Sequence, residues 1–201
     1  MREITKLVAR IAAATAAAAL AATALTGCSS NDPLASQYRA GDNKNYIAGD
    51  GTVTEFAAAD RGKSVKWQGT LADGTKLGSV NLSGVVTVLN FWYAGCAPCR
   101  AEAPDLVAIA KAYPKVQFIG VNVRDAAGTA AAFERKFKVT WPSILDANSG
   151  SVVLAFTGIV TPQAVPTTLV IDAKGRVAAR VLGRIEASTL KALIKRVVEE
   201  G

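Results

Sequence analysis

The chain is 201 residues long and half of its residues are hydrophobic, which is enough for one domain with a substantial core. Its formal net charge of +7 is spread along the sequence, without Lys/Arg runs or a basic stripe interleaved with aromatic residues, so the composition argues against a nucleic-acid-binding protein. The chain has no histidine and only three cysteines, too few for a zinc site built from four Cys and His ligands.

The first 27 residues have the features of a secretory signal. Basic residues precede an apolar run over residues 11–25, which leads into Leu-Thr-Gly-Cys at residues 25–28. This tetrad resembles a bacterial lipobox, which implies cleavage before Cys28 and attachment of lipid to its thiol. An uncleaved signal anchor is the alternative. It is disfavoured because the run is rich in alanine and shorter than the ~20 residues that span a bilayer.

Residues 28–48 are predicted to form a flexible tether, because Ser, Asn, Asp, Gly and Ala dominate there and apolar residues show no period. The sequence thus divides into a lipoprotein signal peptide at 1–27, the tether at 28–48 and one domain at 49–201. With Cys28 used for lipid, two cysteines remain for redox chemistry. We expect the domain to lie outside the cytoplasm, anchored by lipid to the outer face of the bacterial plasma membrane.

The domain begins with β-strand signals. Residues 52–56, 65–71 and 76–80 are rich in β-branched and apolar residues, and an Asp-Gly pair supplies a turn between the second and third runs. We therefore expect a β-hairpin extension before the main βα unit, with Trp67 packed in the core.

A buried strand is predicted over residues 85–91, a β-branched and aromatic run that only Thr87 and Asn90 interrupt. Cys-Ala-Pro-Cys follows at residues 96–99. Beyond it, apolar residues recur at spacings of three and four, so a helix is predicted over 96–113. This order places the first cysteine of the pair at the N-terminus of a helix, shortly after a strand.

A helix N-terminus favours the thiolate form of Cys96, by about 0.3–1 kcal/mol and up to ~2 kcal/mol in favourable sites. We therefore predict that Cys96 is exposed and is the attacking sulfur. Cys99, one turn further in, is expected to be less exposed and to resolve the mixed disulfide. A purely structural disulfide is the alternative, but it would close too short a loop to stabilise the chain much.

The remaining predicted elements alternate between strands and helices: a strand at 116–123, a helix at 126–137, a short strand at 141–145, one or two helical turns at 150–156, strands at 167–171 and 177–182, and a helix at 187–199. The last two strands are expected to pair as an antiparallel hairpin. Leu190, Leu193, Ile194 and Val197 form the predicted buried stripe of the last helix. Together these elements predict an α/β, thioredoxin-like fold with a central mixed sheet flanked by helices.

The sequence resembles membrane-anchored thioredoxin-like proteins of the TlpA/ResA type over residues 65–200. The resemblance rests on Phe-Trp at 91–92, on Cys-x-Pro-Cys-Arg-x-Glu-x-Pro at 96–104 and on Val-Pro-Thr-Thr at 165–168. Gly95 departs from the family, which usually has tryptophan directly before the first cysteine. The resemblance implies that the protein reduces the haem-site cysteines of apocytochrome c before haem attachment.

The same resemblance implies roles for residues around the dithiol. Pro166 would form a cis peptide bond and lie against the disulfide, which leaves the backbone of Val165 free to pair with substrate. Glu102 would lie near the cysteines and accept the proton of Cys99, while its negative charge would raise the cysteine pKa; a surface charge is the alternative. Trp92 either flanks the dithiol and contacts substrate or packs at the edge of the sheet.

Three functions are compatible with the sequence. The first is a thiol-disulfide oxidoreductase that reduces exported proteins, and the second is an oxidase that forms disulfides in them; the reduction potential decides between these two. The third is a copper carrier with Cys96 and Cys99 as soft ligands, disfavoured because histidine is absent and the only methionine is Met1. The sequence contains no Gly-rich cofactor-binding loop, so we predict no cofactor and a membrane thiol electron donor that restores the dithiol.

Overall fold

The computed structural model describes residues 52–159 and 164–201. The predicted signal peptide, the lipidation site Cys28 and the tether lie outside the described residues, as does the domain boundary placed at residue 49. Within the described ranges, none of the helices is both long and apolar enough to cross a membrane.

The described residues contain eight strands, four α-helices and one 3₁₀ helix. The strands are β1 (Val53–Glu55), β2 (Gln68–Thr70), β3 (Lys76–Gly78), β4 (Thr87–Trp92), β5 (Gln117–Asn122), β6 (Ser143–Leu145), β7 (Thr167–Ile171) and β8 (Val177–Leu182). The helices are α1 (Ala97–Ala112), α2 (Ala127–Phe137), α3 (Ser151–Ala155) and α4 (Ala187–Glu199), and the 3₁₀ helix is Ser79–Leu82.

Six strands form one mixed sheet in the order β1-β8-β7-β4-β5-β6. The pairs β4–β5 and β5–β6 are parallel, whereas β4–β7, β7–β8 and β1–β8 are antiparallel. With its flanking helices, this sheet confirms the predicted thioredoxin-like α/β fold and its C-terminal hairpin. The separate two-stranded β2–β3 sheet confirms the N-terminal hairpin extension.

The N-terminal part of the domain differs from the prediction in two respects. The strands of the hairpin are shorter than predicted, since residues 79–82 form a 3₁₀ helix. The first predicted strand of the extension belongs instead to the main sheet, where Val53 of β1 lies opposite Val181 of β8. A pairing between residues so far apart in sequence leaves no local pattern that could have predicted it.

Successive residues of the central strands face opposite sides of the sheet, as strand geometry requires. Val88 and Val170 pack on one side with α1 and α4, and the predicted stripe of α4 is buried at all four positions. Leu89 and Phe91 pack on the other side with Trp67, which confirms the predicted core position of that tryptophan.

β4 and α1 together position the two cysteines. β4 is buried at all six positions because it lies between β5 and β7 in the middle of the sheet. The chain leaves the sheet at Trp92, and α1 begins at Ala97, one residue later than predicted, with Cys96 as its N-cap. The short loop of residues 93–96 therefore links the centre of the sheet directly to the start of the helix.

Candidate active site at the N-terminus of α1

Cys96 and Cys99 form a disulfide, with an S–S distance of 2.02 Å and Cα atoms 5.3 Å apart. The backbone N–H of Cys99 donates to Cys96 Sγ at 3.2 Å, so the sulfur of Cys96 caps the helix. Pro98 lies in the first turn, where its missing N–H costs no helical hydrogen bond. In the reduced protein, a thiolate at Cys96 would receive this N–H and the positive end of the helix dipole.

The predicted exposure of Cys96 is wrong for the disulfide form. Cys96 is only 3% exposed and Cys99 only 2%, so the two sulfurs hardly differ in burial. Both pack in a cluster with Trp92, and half-buried Tyr93 and Val165 cover that cluster. The cover comes from the loop before the motif and from the segment before β7, two regions that the local sequence does not bring together.

The Val165–Pro166 peptide bond is cis, as the family resemblance implies. The carbonyl oxygen of Val165 lies 3.9 Å from Cys96 Sγ. Pro166 is buried at the start of β7, and its own carbonyl accepts a hydrogen bond from the Gly183 N–H at 2.8 Å. The structure therefore brings Val165 to the dithiol and gives Pro166 the cis bond that the resemblance implies; contact of Pro166 itself with the disulfide stays a prediction.

Glu102 is buried, with 1% of its surface exposed, so the surface-charge alternative is wrong. Its carboxylate accepts two hydrogen bonds of 2.9 Å, from Asn90 Nδ2 and from the backbone N–H of Ile185. Burial outweighs these bonds and raises the pKa of Glu102 from 4.5 to about 7. Near neutral pH this carboxyl can therefore both accept and release a proton.

Asn90 connects Glu102 to the surroundings of Cys99. Its Nδ2 donates to Thr168 Oγ1 at 3.1 Å as well as to Glu102. Asn90 and Cys99 line a common cavity of about 10 Å³, and Ser143 Oγ, on the wall of the same cavity, is buried without a hydrogen-bond partner in the described structure. Sequence reasoning did not assign Asn90 a role, although a polar residue inside a predicted buried strand was the available signal.

Trp92 is a buried side chain that flanks the dithiol. It is 4% exposed, it packs in the cluster with Cys96 and Cys99, and its ring centroid lies 4.3 Å from that of Phe133 in α2. Because β4 is an interior strand, the alternative that places Trp92 at the edge of the sheet is wrong. Gly95, in contrast, is exposed and has no positive φ, and a Cβ added there would meet only the Tyr93 ring, at 3.5 Å. The backbone at position 95 therefore accepts a residue with a Cβ, so no backbone constraint requires glycine there.

Three charged side chains hold the loop before the motif, and sequence reasoning found none of them. Asp125 Oδ2 accepts the Ala94 N–H at 2.6 Å, and Arg100 Nη1 donates to the Ala94 carbonyl at 3.2 Å. The guanidinium of Arg124 lies 3.9 Å from the centroid of the Tyr93 ring. Both backbone polar groups of Ala94, two residues before Cys96, are thus hydrogen-bonded to charged side chains.

The fold and this site define a thioredoxin-fold protein whose CxxC disulfide caps a helix. Residues 60–180 match the AhpC/TSA family, and the chain belongs to that family.

Curated relatives cover the chain in part. The soluble secreted antigen MPT53 of Mycobacterium tuberculosis is 33% identical over 97 residues, which are 48% of this chain and 54% of that protein. The thiol-disulfide oxidoreductase ResA of Geobacillus thermodenitrificans is 27% identical over 150 residues, 74% of this chain and 77% of the relative. The chain spans about half the length of the first of these relatives. Matches named ResA confirm the resemblance to the TlpA/ResA type.

Solved structures agree with the fold over most of the chain. A secreted thiol-disulfide isomerase from Corynebacterium glutamicum has a TM-score of 0.68 at 28% identity, covering 77% of this chain and 96% of that one. A DsbF homologue from Corynebacterium diphtheriae has a TM-score of 0.65 at 28% identity, covering 75% and 96%. ResA and the Corynebacterium glutamicum protein are thus named as thiol-disulfide enzymes, and this chain shares their fold and has a CxxC disulfide.

Proposed function

We propose that the protein is a thiol-disulfide oxidoreductase that acts on exported proteins outside the cytoplasm. The observation that carries this proposal is the position of the Cys96–Cys99 disulfide. It lies at the N-terminus of α1, with the Val165 carbonyl 3.9 Å from Cys96 Sγ. A sulfur at that position has a stabilised anion when reduced, and it lies next to backbone groups with which an extended substrate can pair.

In the proposed reaction the reduced protein transfers two electrons to a substrate disulfide. The Cys96 thiolate attacks one substrate sulfur, forms a mixed disulfide and releases the other sulfur as a thiolate. Cys99 then loses its proton and attacks Cys96, which frees the second substrate thiol and leaves the Cys96–Cys99 disulfide. Glu102, with a pKa of about 7, is the proposed acceptor for the proton of Cys99.

The burial of the disulfide bears on how the protein is reduced again. Because Cys96 is 3% exposed, we propose that residues packed against its cluster, which include Tyr93 and Val165, shift when an attacking thiol reaches the sulfur. The proposed electron donor is a membrane thiol protein. Val165 and Pro166 are the proposed docking segment for donor and substrate alike.

Reduction is the direction that the buried carboxyl favours. A Glu102 anion near the dithiol opposes a second negative charge on either sulfur and so destabilises the reduced form. A less stable reduced form means a lower reduction potential and a stronger reductant. On this argument the disulfide-forming oxidase is the second choice.

The substrate and the location are proposed from the sequence and the relatives. The lipobox supports lipid attachment at Cys28, and a relative named a soluble secreted antigen supports a place outside the cytoplasm. The TlpA/ResA resemblance supports apocytochrome c as the substrate. In this proposal the tether lets the domain act near the membrane surface.

Turnover of insulin by dithiothreitol tests the activity. Cys96→Ala and Cys99→Ala are expected to abolish the acceleration, whereas Cys28→Ser is a matched control that keeps it, since this third cysteine serves only the lipid. In cells, Cys28→Ser should instead lose incorporation of labelled palmitate and move to the soluble fraction. Full turnover by either active-site variant would overturn the proposed activity.

Equilibration with glutathione and dithiothreitol buffers tests the direction. We expect a reduction potential closer to that of thioredoxin, about −270 mV, than to that of DsbA, about −120 mV. An oxidising value would favour the oxidase. Stoichiometric copper in protein purified without chelator would favour the carrier.

Haem staining of c-type cytochromes in a deletion strain tests the substrate. Loss of staining that the wild-type gene restores and a Cys96→Ala gene does not restore would support apocytochrome c. Unchanged cytochromes would remove this substrate and leave the enzyme class intact.

A further inference from the structure

The loop between β4 and α1 is held by charged residues from two other parts of the chain. Asp125, in the loop after β5, accepts hydrogen bonds on one oxygen, Oδ2, from the Ala94 N–H at 2.6 Å and from Asn122 Nδ2 at 2.8 Å. Asn122 is fully buried, and its Oδ1 accepts the backbone N–H of Asp125 at 2.7 Å. The position of the carboxylate is therefore fixed from both sides.

Arg100, with the opposite charge, contacts the other backbone polar group of the same residue, Ala94. Its Nη1 donates to the Ala94 carbonyl at 3.2 Å, and its guanidinium also lies 5.4 Å from the centroid of the Phe137 ring. Ala94 thus has an anion at its N–H and a cation at its carbonyl. Cys96 follows two residues later, and its own N–H donates to the Tyr93 carbonyl at 3.1 Å, so the position of its sulfur depends on this short turn.

The two charges have opposite effects on a thiolate at Cys96. An anion near a thiol disfavours the second negative charge and raises the thiol pKa, and a cation lowers it. The elements packed around the dithiol carry further charged groups: Glu102 and Asp105 on α1, Arg124 beside Asp125, Glu134, Arg135 and Lys136 on α2, and Arg184 in the loop before α4. Of these, Arg124 stacks on Tyr93, Lys136 lies 5.8 Å from the centroid of the Phe137 ring, and Arg184 and Asp105 have opposite effects on the pKa of Glu102.

We propose that Asp125 is a positioning residue that sets both the acidity of Cys96 and the position of the loop that covers it. Its charge keeps the thiolate of Cys96 less stable than the helix N-terminus alone would make it, and Arg100 offsets part of that effect. Its hydrogen bond to Ala94 fixes the turn that presents the sulfur. The proposal rests on the proposed function in one respect, that Cys96 is the attacking sulfur.

Asp125→Asn separates charge from geometry. The asparagine Oδ1 can take the place of Oδ2 and keep both hydrogen bonds, so only the negative charge is lost. We expect the Cys96 pKa, followed by thiolate absorbance in the reduced protein, to fall by roughly half to one pH unit. At a pH above the Cys96 pKa of both proteins, the equilibrium with glutathione should favour the reduced variant by threefold to tenfold, equivalent to ~15–30 mV.

Two further variants test the direction of the Cys96 pKa shift and provide a control. Arg100→Gln should move the Cys96 pKa in the opposite direction, upward. Asp73→Asn is the matched control, because Asp73 also accepts a backbone N–H, that of Thr75 at 2.9 Å, but lies in the exposed turn of the β2–β3 hairpin. A Cys96 pKa in Asp125→Asn equal to those of the wild type and of Asp73→Asn would overturn the role of the charge.

Asp125→Ala tests the positioning role, since it removes the charge and the hydrogen bonds together. Relative to Asp125→Asn, we expect the same pKa change and a further loss of at least fivefold in kcat/KM for insulin reduction, with unchanged circular dichroism. Equal rates for the two variants would overturn the positioning role. A separate experiment tests the assumption that Cys96 is the attacking sulfur: the rates at which iodoacetamide labels Cys96 and Cys99 in the reduced protein are compared. Faster labelling of Cys99 would contradict the proposed function, whereas the outcomes above concern only Asp125.

Discussion

Two buried carboxyl groups lie in very different surroundings in this domain. Glu102, three residues after Cys99 on α1, has hydrogen bonds from an amide and a backbone N–H but no ion pair in the described structure, and burial raises its pKa to about 7. Asp172, at the end of β7, is paired with Arg61 at 3.1 Å and with Arg176 at 2.8 Å. Burial would raise the pKa of Asp172, but hydrogen bonds from these arginines outweigh it and lower the pKa.

The difference separates a group that can titrate from one that stays charged. Asp172 belongs to a network in which Arg61 also pairs with Glu200, so it joins the N-terminal segment, the β7–β8 turn and the end of α4. A permanently ionised acid suits such a structural role. Among the described residues no cation contacts Glu102, so its buried charge is costly, and this cost allows the carboxyl to exchange a proton near neutral pH.

The largest expected effect is that of Asp172→Ala on stability. It leaves the side chain of Arg61, which is 2% exposed, with only one acidic partner, and removing one member of a buried pair costs about 3–5 kcal/mol. Urea unfolding measures the loss, with Asp73→Ala in an exposed turn as the control, expected to lose far less stability. Equal losses in the two variants would contradict the structural role of Asp172.

The two acids should give opposite dependences of stability on pH. The pKa of Glu102 is raised on folding, so the folded protein binds a proton that the unfolded chain has lost between pH 4.5 and about 7. Its contribution is fully present below that window, and about 3 kcal/mol is lost as the pH rises through it. The pKa of Asp172 is lowered, so its contribution is present above the unfolded value of 3.8 and is lost as the pH falls through the folded value.

Urea unfolding of the wild type and of Glu102→Gln at several pH values checks whether the stability contributed by Glu102 falls as the pH rises. The variant lacks the titrating group, so its stability relative to the wild type should increase from pH 4.5 to 8. A constant difference between the two proteins over that range would contradict the raised pKa.

A smaller effect, in free energy, is expected from Glu102→Gln on catalysis. If Glu102 accepts the proton of Cys99, removing this base should lower the rate of mixed-disulfide resolution by roughly a hundredfold, about 2.7 kcal/mol. Single-turnover reduction of insulin, with trapping of the mixed disulfide, measures that step. Asp172→Asn is the control, expected to leave the step unchanged in the folded protein.

The smallest expected effect is that of Glu200→Gln. The side chain of Glu200 is 29% exposed and Arg61 keeps Asp172, so solvent screens the lost pair and the cost should be about 1 kcal/mol or less. Urea unfolding again measures it. A loss as large as that of Asp172→Ala would mean that the two ends of the network are equivalent.

Much of the fold follows from local patterns. The bounds of the C-terminal hairpin and of α4 agree with the prediction. The alternation of apolar residues in a strand and the apolar stripe of period 3.6 in a helix both depend only on residues close together in the sequence. The position of Cys96 at the start of α1 was predictable for the same reason: a strand, a short loop and a helix follow one another in the chain.

Local patterns were enough to predict the order of strands and helices and the place of the CxxC pair at a strand–helix junction, because both depend on residues close together in the chain. The burial of Glu102 could not be predicted in this way, since one N–H that donates to its carboxylate belongs to Ile185, 83 residues away. The bond of Asp125 to Ala94 spans 31 residues. Such contacts depend on how distant segments meet in three dimensions, and no local spacing encodes them.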